Sequence, residues 1–184
     1  WHRLWVGGSL LCVILFLFPA LRGQGYLYIE MMFKGDTDSL VASSPVFGWL
    51  PNQVAVVLTL LAALIVFKVV ASVLTVDAGG DGGIFAPSMF IGAFTGFAFA
   101  RLVNVSGLVA LQEYNFVAVG MCGVFTAVMR APLTGIFLIA EVTGGYGLLV
   151  PLMIVSSVAY FIARFFEPYS IYRKALADSN LLGE

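Results

Sequence analysis

Long apolar runs separated by short polar or glycine- and proline-containing interruptions extend along the whole chain. A helix of roughly 20 apolar residues is long enough to cross the hydrocarbon core of a bilayer. The pattern therefore predicts helices that span a membrane, each ending where glycine, proline or charge interrupts the run. The long runs lie at about 4–21, 51–76, 84–103 and 148–165.

Other apolar runs are too short or too interrupted to span alone. Residues 114–128 are rich in glycine and alanine, and Arg130 and Pro132 interrupt the run. The run after Pro132 has about 12 residues, which is short of a spanning helix. Residues 25–50 mix charged and apolar positions, which predicts a short helix at about 25–34 and a surface loop. A mixture of spanning and half-spanning, Gly/Pro-interrupted helices is typical of transporter sites.

Composition confirms the membrane class and excludes several others. Of the 184 residues, 61% are hydrophobic and only 10% are charged, against about 25% charged in a soluble domain. The mean hydropathy is +1.02. The sequence thus predicts an all-α integral membrane protein, and no basic patch suggests nucleic acid. The single histidine, His2, gives no basis for a metal site or a triad. HExxH, Ser/His and paired-Asp arrangements are also absent, so we expect neither an enzyme nor a cofactor.

The most irregular stretch, GGDGGIFAPSMFIG at 79–92, lies between two long apolar runs. Irregular backbone at membrane depth is tolerated only where it is buried in protein or lines a watery cavity, because unpaired backbone groups in hydrocarbon are costly. We expect Gly82 and Gly83 to supply a bend and a helix to begin near Ile84. Pro87 would then lie in the first turn, where its missing N–H costs little.

A helix that begins inside a membrane can bind an anion without a cationic side chain. Its first N–H groups lack partners, and its macrodipole adds about half a positive charge there. We expect the amides of Ile84 and Phe85 to act in this way, and the Asp81 carboxylate to point away toward water. The residues alone also allow a glycine-rich re-entrant turn that binds no ligand. The stretch lacks the Gly-Lys-Ser/Thr ending of a phosphate-binding P-loop.

Charged residues within the apolar runs have structural and functional interpretations. Lys68 is the only charge in the second long run, and we expect its ammonium to snorkel to the interface. For Glu141 we expect structural pairing, with Arg130 as a candidate partner, rather than proton transfer. Arg101 ends a predicted helix and is expected to face a headgroup region.

GGIFAP, followed by GMCGVFTAVMRAPLTGIFLIAEVTGGYGLLVPLMI, closely resembles the CLC family of chloride channels and chloride/proton antiporters. In that family a GxFxP motif opens a helix whose amides coordinate a central chloride. The resemblance implies that the same motif is the selectivity-filter motif of this chain and that the amides of two of its residues bind the anion. The motif residues are Gly83, Ile84, Phe85, Ala86 and Pro87, and the two amides are those of Ile84 and Phe85.

The resemblance also implies a tyrosine hydroxyl on the chloride, at the start of the last membrane helix. Tyr169 and Tyr172 are the candidates. The family pattern places leucine four positions after the tyrosine. Tyr172 with Leu176 fits this pattern, whereas Tyr169 has Arg173 at that spacing. We therefore assign the hydroxyl to Tyr172 and expect Tyr169 to be an interfacial residue.

By this resemblance, residues 1–184 are the C-terminal half of a CLC-type membrane domain, its second inverted repeat. The family's other chloride-binding motif and its gating and proton-transfer glutamates are expected before Trp1. Passive channel and chloride/proton exchange both remain open, and so does a non-conducting structural half. The resemblance also implies a homodimer through roughly 131–142 and 147–165. Localisation in a cell membrane with a cytoplasmic C-terminus follows from the positive-inside tendency.

Overall fold

The computed structural model describes residues 2–49, 53–80, 82–107, 109–144 and 146–167, with the side chains of residues 2–4 and 6 left aside. This described part consists of helices joined by turns and loops and contains no strand, which confirms the all-α prediction. The helices are α1 His2–Leu17, α2 Tyr26–Lys34, α3 Thr37–Ala42, α4 Val54–Asp77, α5 Phe85–Ser106, α6 Glu113–Met129, α7 Pro132–Val142 and α8 Leu149–Phe166. Short 3-10 helices occupy Pro19–Leu21 and Tyr146–Leu148.

Three helices in the described part are long and apolar enough to cross a membrane. They are α4, α5 and the helix formed by Tyr146–Phe166, with 24, 22 and 21 residues. In contrast, α7 has 11 residues and extends only about 16 Å at 1.5 Å per residue. The spans predicted at 51–76, 84–103 and 148–165 are therefore confirmed in length and composition, with observed ends within a few residues of the predicted ones. The run at 4–21 instead forms α1, whose 16 residues are fewer than a spanning helix needs.

The closest helix pair, α5 and α6, packs through glycines. A Cβ atom added at Gly92 would lie 2.5 Å from the carbonyl oxygen of Gly120, and one added at Gly96 would overlap the carbonyl oxygen of Phe116. Small residues let helix backbones approach closely in lipid, where van der Waals packing drives association. These glycines therefore allow the close packing of α5 against α6.

The two helices run antiparallel. The Phe85 ring, at the start of α5, packs edge-on against the Phe125 ring near the end of α6, with ring centroids 4.9 Å apart. At the opposite end, the Arg101 guanidinium forms a 2.9 Å ion pair with Glu113, which begins α6. The glycine contacts lie between these two pairs and fix the register.

The last helix, α8, runs parallel to α6. The Cys122 thiol donates to the Leu152 carbonyl at 3.7 Å, and the hydroxyls of Thr126 and Ser156 lie 3.2 Å apart one turn further along. Arg130, just past α6, reaches the end of α8. The carboxyl ends of α6 and α8 therefore lie at the same end of the protein as the start of α5.

The short helix α7 folds back along α6 after a two-residue corner. Gly135 allows the contact, because an added Cβ would lie 2.7 Å from the Thr126 hydroxyl oxygen. The Ser156 hydroxyl donates to the Pro132 carbonyl at 3.2 Å. The Tyr114 hydroxyl bonds the Thr143 carbonyl at 3.0 Å, near the start of α6. The three helices α6, α7 and α8 thus form one bonded unit.

Replacing Gly96 by alanine should destabilise the α5–α6 pair, because the new methyl group overlaps the Phe116 carbonyl. Forced overpacking costs typically about 1–3 kcal/mol. The measurement is the thermal unfolding midpoint of the detergent-solubilised protein. Gly8→Ala is the matched control, since Gly8 is also helical but has open space around it, and alanine is the better helix former. Equal midpoints for the two variants would contradict the proposed packing.

Candidate functional site

The predicted anion site lies at the first turn of α5, a helix that begins within one residue of its predicted start. Ile84 is the N-cap residue, with φ −86° and ψ −15°, and Phe85 is the first helical residue. The first intrahelical hydrogen bond runs from the Ser88 amide to the Ile84 carbonyl at 3.1 Å. Pro87 lies in the first turn, as expected, and removes one amide that would have had no helical partner.

Three backbone amides at this helix start have no partner among the described residues. Among the described residues no backbone carbonyl accepts from the amides of Ile84, Phe85 or Ala86, and no side chain caps the helix. The 22-residue helix behind them adds about half a positive charge at this end. This arrangement attracts a small anion.

The end of α4 is closed by a glycine turn. The left-handed residue of this turn is Gly79, with φ 85°. The Gly79 and Gly80 amides bond the Val76 and Thr75 carbonyls at 3.0 and 2.8 Å, which is a Schellman motif at the end of α4. This motif needs its glycine directly after the helix cap, and the expected bend at Gly82 and Gly83 stays a prediction.

Gly83 still leaves the backbone accessible. A Cβ atom added there would meet no described atom within 4 Å beyond its chain neighbours, whereas one at Gly82 would meet the Val76 side chain at 3.3 Å. Asp81 lies outside the described residues, so its expected orientation toward water stays a prediction.

Arg130 forms the corner between α6 and α7 and is not paired with Glu141. Its backbone is left-handed, with φ 58° and ψ 31°, which costs a non-glycine residue roughly 1–2 kcal/mol. Its guanidinium donates to the carbonyl of Ala163 at 2.7 Å and to that of Glu167. Glu141 is exposed. The suggested Arg130–Glu141 pair does not form in the described part, because the arginine instead caps the end of α8.

Lys68 is buried rather than snorkelling, so that prediction is wrong. The residue is only 4% exposed, and its ammonium donates to the carbonyls of Leu21 at 3.2 Å and Gly23 at 3.0 Å. The Phe90 ring of α5 lies under the ammonium, with its centroid 4.9 Å away. Lys68 therefore ties the loop after α1 to α4 and α5. Its position in mid-run was visible in the sequence, but its partners were not.

The chain leaves the described residues at Glu167, beside Arg130. Tyr169 and Tyr172 lie outside the described residues, so neither tyrosine assignment is tested. Tyr172 follows Glu167 by five positions and can lie at most about 18 Å from it, at the reach of an extended chain. Helix α8 terminates at the same end of the protein at which α5 begins.

Comparison with known proteins gives consistent results. The family described as "Voltage gated chloride channel" matches residues 1–164. The chain is 34% identical over 120 residues to the H(+)/Cl(-) exchange transporter ClcA of Vibrio campbellii, a match that covers 65% of this chain and 26% of the relative. For ClcA of Vibrio cholerae the identity is 35% over 118 residues, 64% of this chain and 25% of the relative. The match thus spans about a quarter of the length of these relatives.

Replacing Lys68 by methionine should destabilise the protein, because the Leu21 and Gly23 carbonyls lose a charged donor in a buried place. Hydrogen bonds to charged groups contribute about 1.5–3 kcal/mol each. The measurement is the unfolding midpoint in detergent. Lys34→Met is the matched control and should leave the midpoint unchanged, since Lys34 is exposed and, among the described residues, forms an ion pair only with Glu30 one turn away. An unchanged midpoint for Lys68→Met would show that the buried ammonium contributes nothing to stability.

Proposed function

The chain belongs to the voltage gated chloride channel family, and from that premise we propose that it forms part of a membrane pathway for chloride or similar small anions. The chain is an integral membrane protein with three spanning helices in its described part. The carrying observation is the start of α5, where uncapped amides lie at the end of the protein that also holds the carboxyl ends of α6 and α8.

The anion in this proposal is held by neutral donors. The amides of Ile84 and Phe85 point out of an uncapped helix start, Gly83 lets the ion approach the backbone, and Ala86 and Pro87 complete the motif. The Tyr172 hydroxyl supplies a further donor. Partial charges hold a small anion more weakly than a lysine or arginine would, and conduction requires that the ion also leave.

The mode of transport proposed for the full-length protein is chloride/proton exchange rather than passive conduction. Support comes from the relatives, which are named H(+)/Cl(-) exchange transporters. The passive channel stays the alternative within the family. Since the match spans about a quarter of these relatives, we also propose that residues 1–184 act as the second half of a larger membrane domain. The remaining alternative is a structural half that conducts no anion by itself.

We propose a homodimer formed through residues 131–142 and 147–165. Helix α8 buries Leu152 and Ser156 against α6, while Phe161 and Ile162 are exposed. On α7 the exposed apolar residues include Leu133 and Phe137. A partner subunit suits such faces, as do lipid and the remaining part of the proposed larger membrane domain. The proposed location is the plasma or inner cell membrane, with the C-terminus in the cytoplasm.

Replacing Tyr172 by phenylalanine should weaken chloride binding to the full-length protein modestly, because one neutral hydrogen-bond donor is lost. Such a bond contributes roughly 0.5–1.5 kcal/mol, which corresponds to about a 2- to 12-fold rise in Kd. Titration calorimetry with chloride measures the change. Tyr169→Phe is the matched control and should leave Kd unchanged. The reverse result would assign the chloride-binding hydroxyl to Tyr169 instead.

Exchange and passive conduction differ in their response to protons. For the full-length protein in liposomes, a pH gradient should shift the reversal potential if chloride and proton movements are coupled. A potential set by the chloride gradient alone would contradict exchange and support the channel. Absence of any anion flux would contradict the transport proposal itself.

A further inference from the structure

The first turn of α5 places few backbone restraints on the amides of the proposed site. No described backbone carbonyl accepts from the amides of Ile84 and Phe85. The turn is held by the Ser88 amide, which bonds the Ile84 carbonyl at 3.1 Å, and by the Ser88 hydroxyl, which donates to the Phe85 carbonyl at 2.7 Å. Since the terminal turns of helices open at little cost, the orientation of the Phe85 amide also depends on the contacts of its side chain.

The Phe85 side chain makes such a contact with Phe125 of α6. The two rings meet edge to face, with an interplanar angle of 79° and centroids 4.9 Å apart, which is a favourable geometry for an aromatic pair. Phe125 is only 1% exposed, whereas Phe85 is 38% exposed. The buried ring of α6 is therefore the fixed member of the pair, and the ring at the start of α5 packs onto it.

The Phe125 ring is itself held between α5 and α7. A Cβ atom added at Gly135 of α7 would lie 3.2 Å from the Phe125 Cδ1 atom. The next residue, Thr126, ties α6 to α8, because its hydroxyl oxygen lies 3.2 Å from that of Ser156. Protein interiors packed at this density leave a buried ring little room to move. Phe125 is thus a constrained support near the carboxyl end of α6, directly beside the start of α5.

We propose that Phe125 is a positioning residue for the anion site: by supporting the Phe85 ring it holds the first turn of α5 in the orientation in which the Phe85 amide donates to a chloride ion. The inference rests on the proposed chloride function. Phe125 is buried, acts through the Phe85 side chain and does not contact the anion. A chloride that binds only this orientation has an apparent Kd that rises as the fraction of molecules in that orientation falls.

Phe125→Leu tests this inference in the full-length protein, because leucine keeps an apolar side chain but removes the ring. Chloride Kd from titration calorimetry should rise about 2- to 12-fold, the change that corresponds to the loss of one aromatic pair. Phe116→Leu is the matched control and should leave Kd unchanged. It removes another aromatic pair between the same two helices, Phe99 with Phe116 at a centroid distance of 5.7 Å, near the start of α6 and away from the site.

Two further measurements separate positioning from a general loosening of the core. Phe85→Leu keeps the backbone amide but removes the same ring pair from the other side. Its Kd should rise by a similar factor, and adding Phe125→Leu to it should cause no further rise. Phe125→Tyr keeps the ring but buries a hydroxyl, which costs stability. Its Kd should stay nearer to that of the unmodified protein than the Kd of Phe125→Leu does, even where its unfolding midpoint is lower.

The inference fails if folded Phe125→Leu binds chloride with an unchanged Kd, or if Phe116→Leu raises Kd as much. It also fails if Phe125→Tyr raises Kd as much as Phe125→Leu, or if the effects of Phe85→Leu and Phe125→Leu add fully. The proposed function stands in each of these cases, because the unmodified protein still binds chloride. If Phe125→Leu does not fold, an unchanged Kd for Phe85→Leu contradicts the inference. If the unmodified protein binds no chloride, the proposed function fails first.

Discussion

Hydrocarbon offers no hydrogen bonds, so every helix end at membrane depth must find a partner inside the protein. This single constraint accounts for the unusual contacts in the chain. The end of α4 is closed by the Schellman turn at Gly79, and the short 3-10 helix and loop after α1 give two carbonyls to Lys68. The end of α8 is closed by Arg130. The start of α5 is the exception, since no described side chain caps it.

Close packing of helices at glycines, which have no side chain, brings these helix ends together. Gly92, Gly96 and Gly120 let α5 and α6 approach so closely that a Cβ atom added at any of them would overlap the facing backbone. The register places the start of α5 beside the end of α6, where Phe85 meets Phe125. Because α8 runs parallel to α6, its own end lies there too. The arrangement of the proposed site therefore follows from glycine positions far from the site.

Hydropathy predicted the helices well because the lipid environment selects for long apolar runs, and helix ends follow from glycine, proline and charge. The motif at 83–87 was recognisable because anion binding by backbone amides requires a few specific residue types around the helix start. The contacts of Lys68 and Arg130 were not predictable in this way. Their acceptors are carbonyl groups 33 to 47 positions away, and a carbonyl has no sequence signature. From the sequence, Lys68 was expected to reach the lipid interface and Arg130 to pair with the carboxylate of Glu141.

Lys68 and Arg130 are both engaged by carbonyl oxygens, which has a consequence for selectivity. The Lys68 ammonium is occupied by two carbonyls and the Phe90 ring, and the Arg130 guanidinium by the end of α8. Both cations therefore already have hydrogen-bond acceptors within the protein. A chloride at the start of α5 would therefore meet backbone amides and a dipole rather than a competing salt bridge, so that the anion can be exchanged rather than trapped.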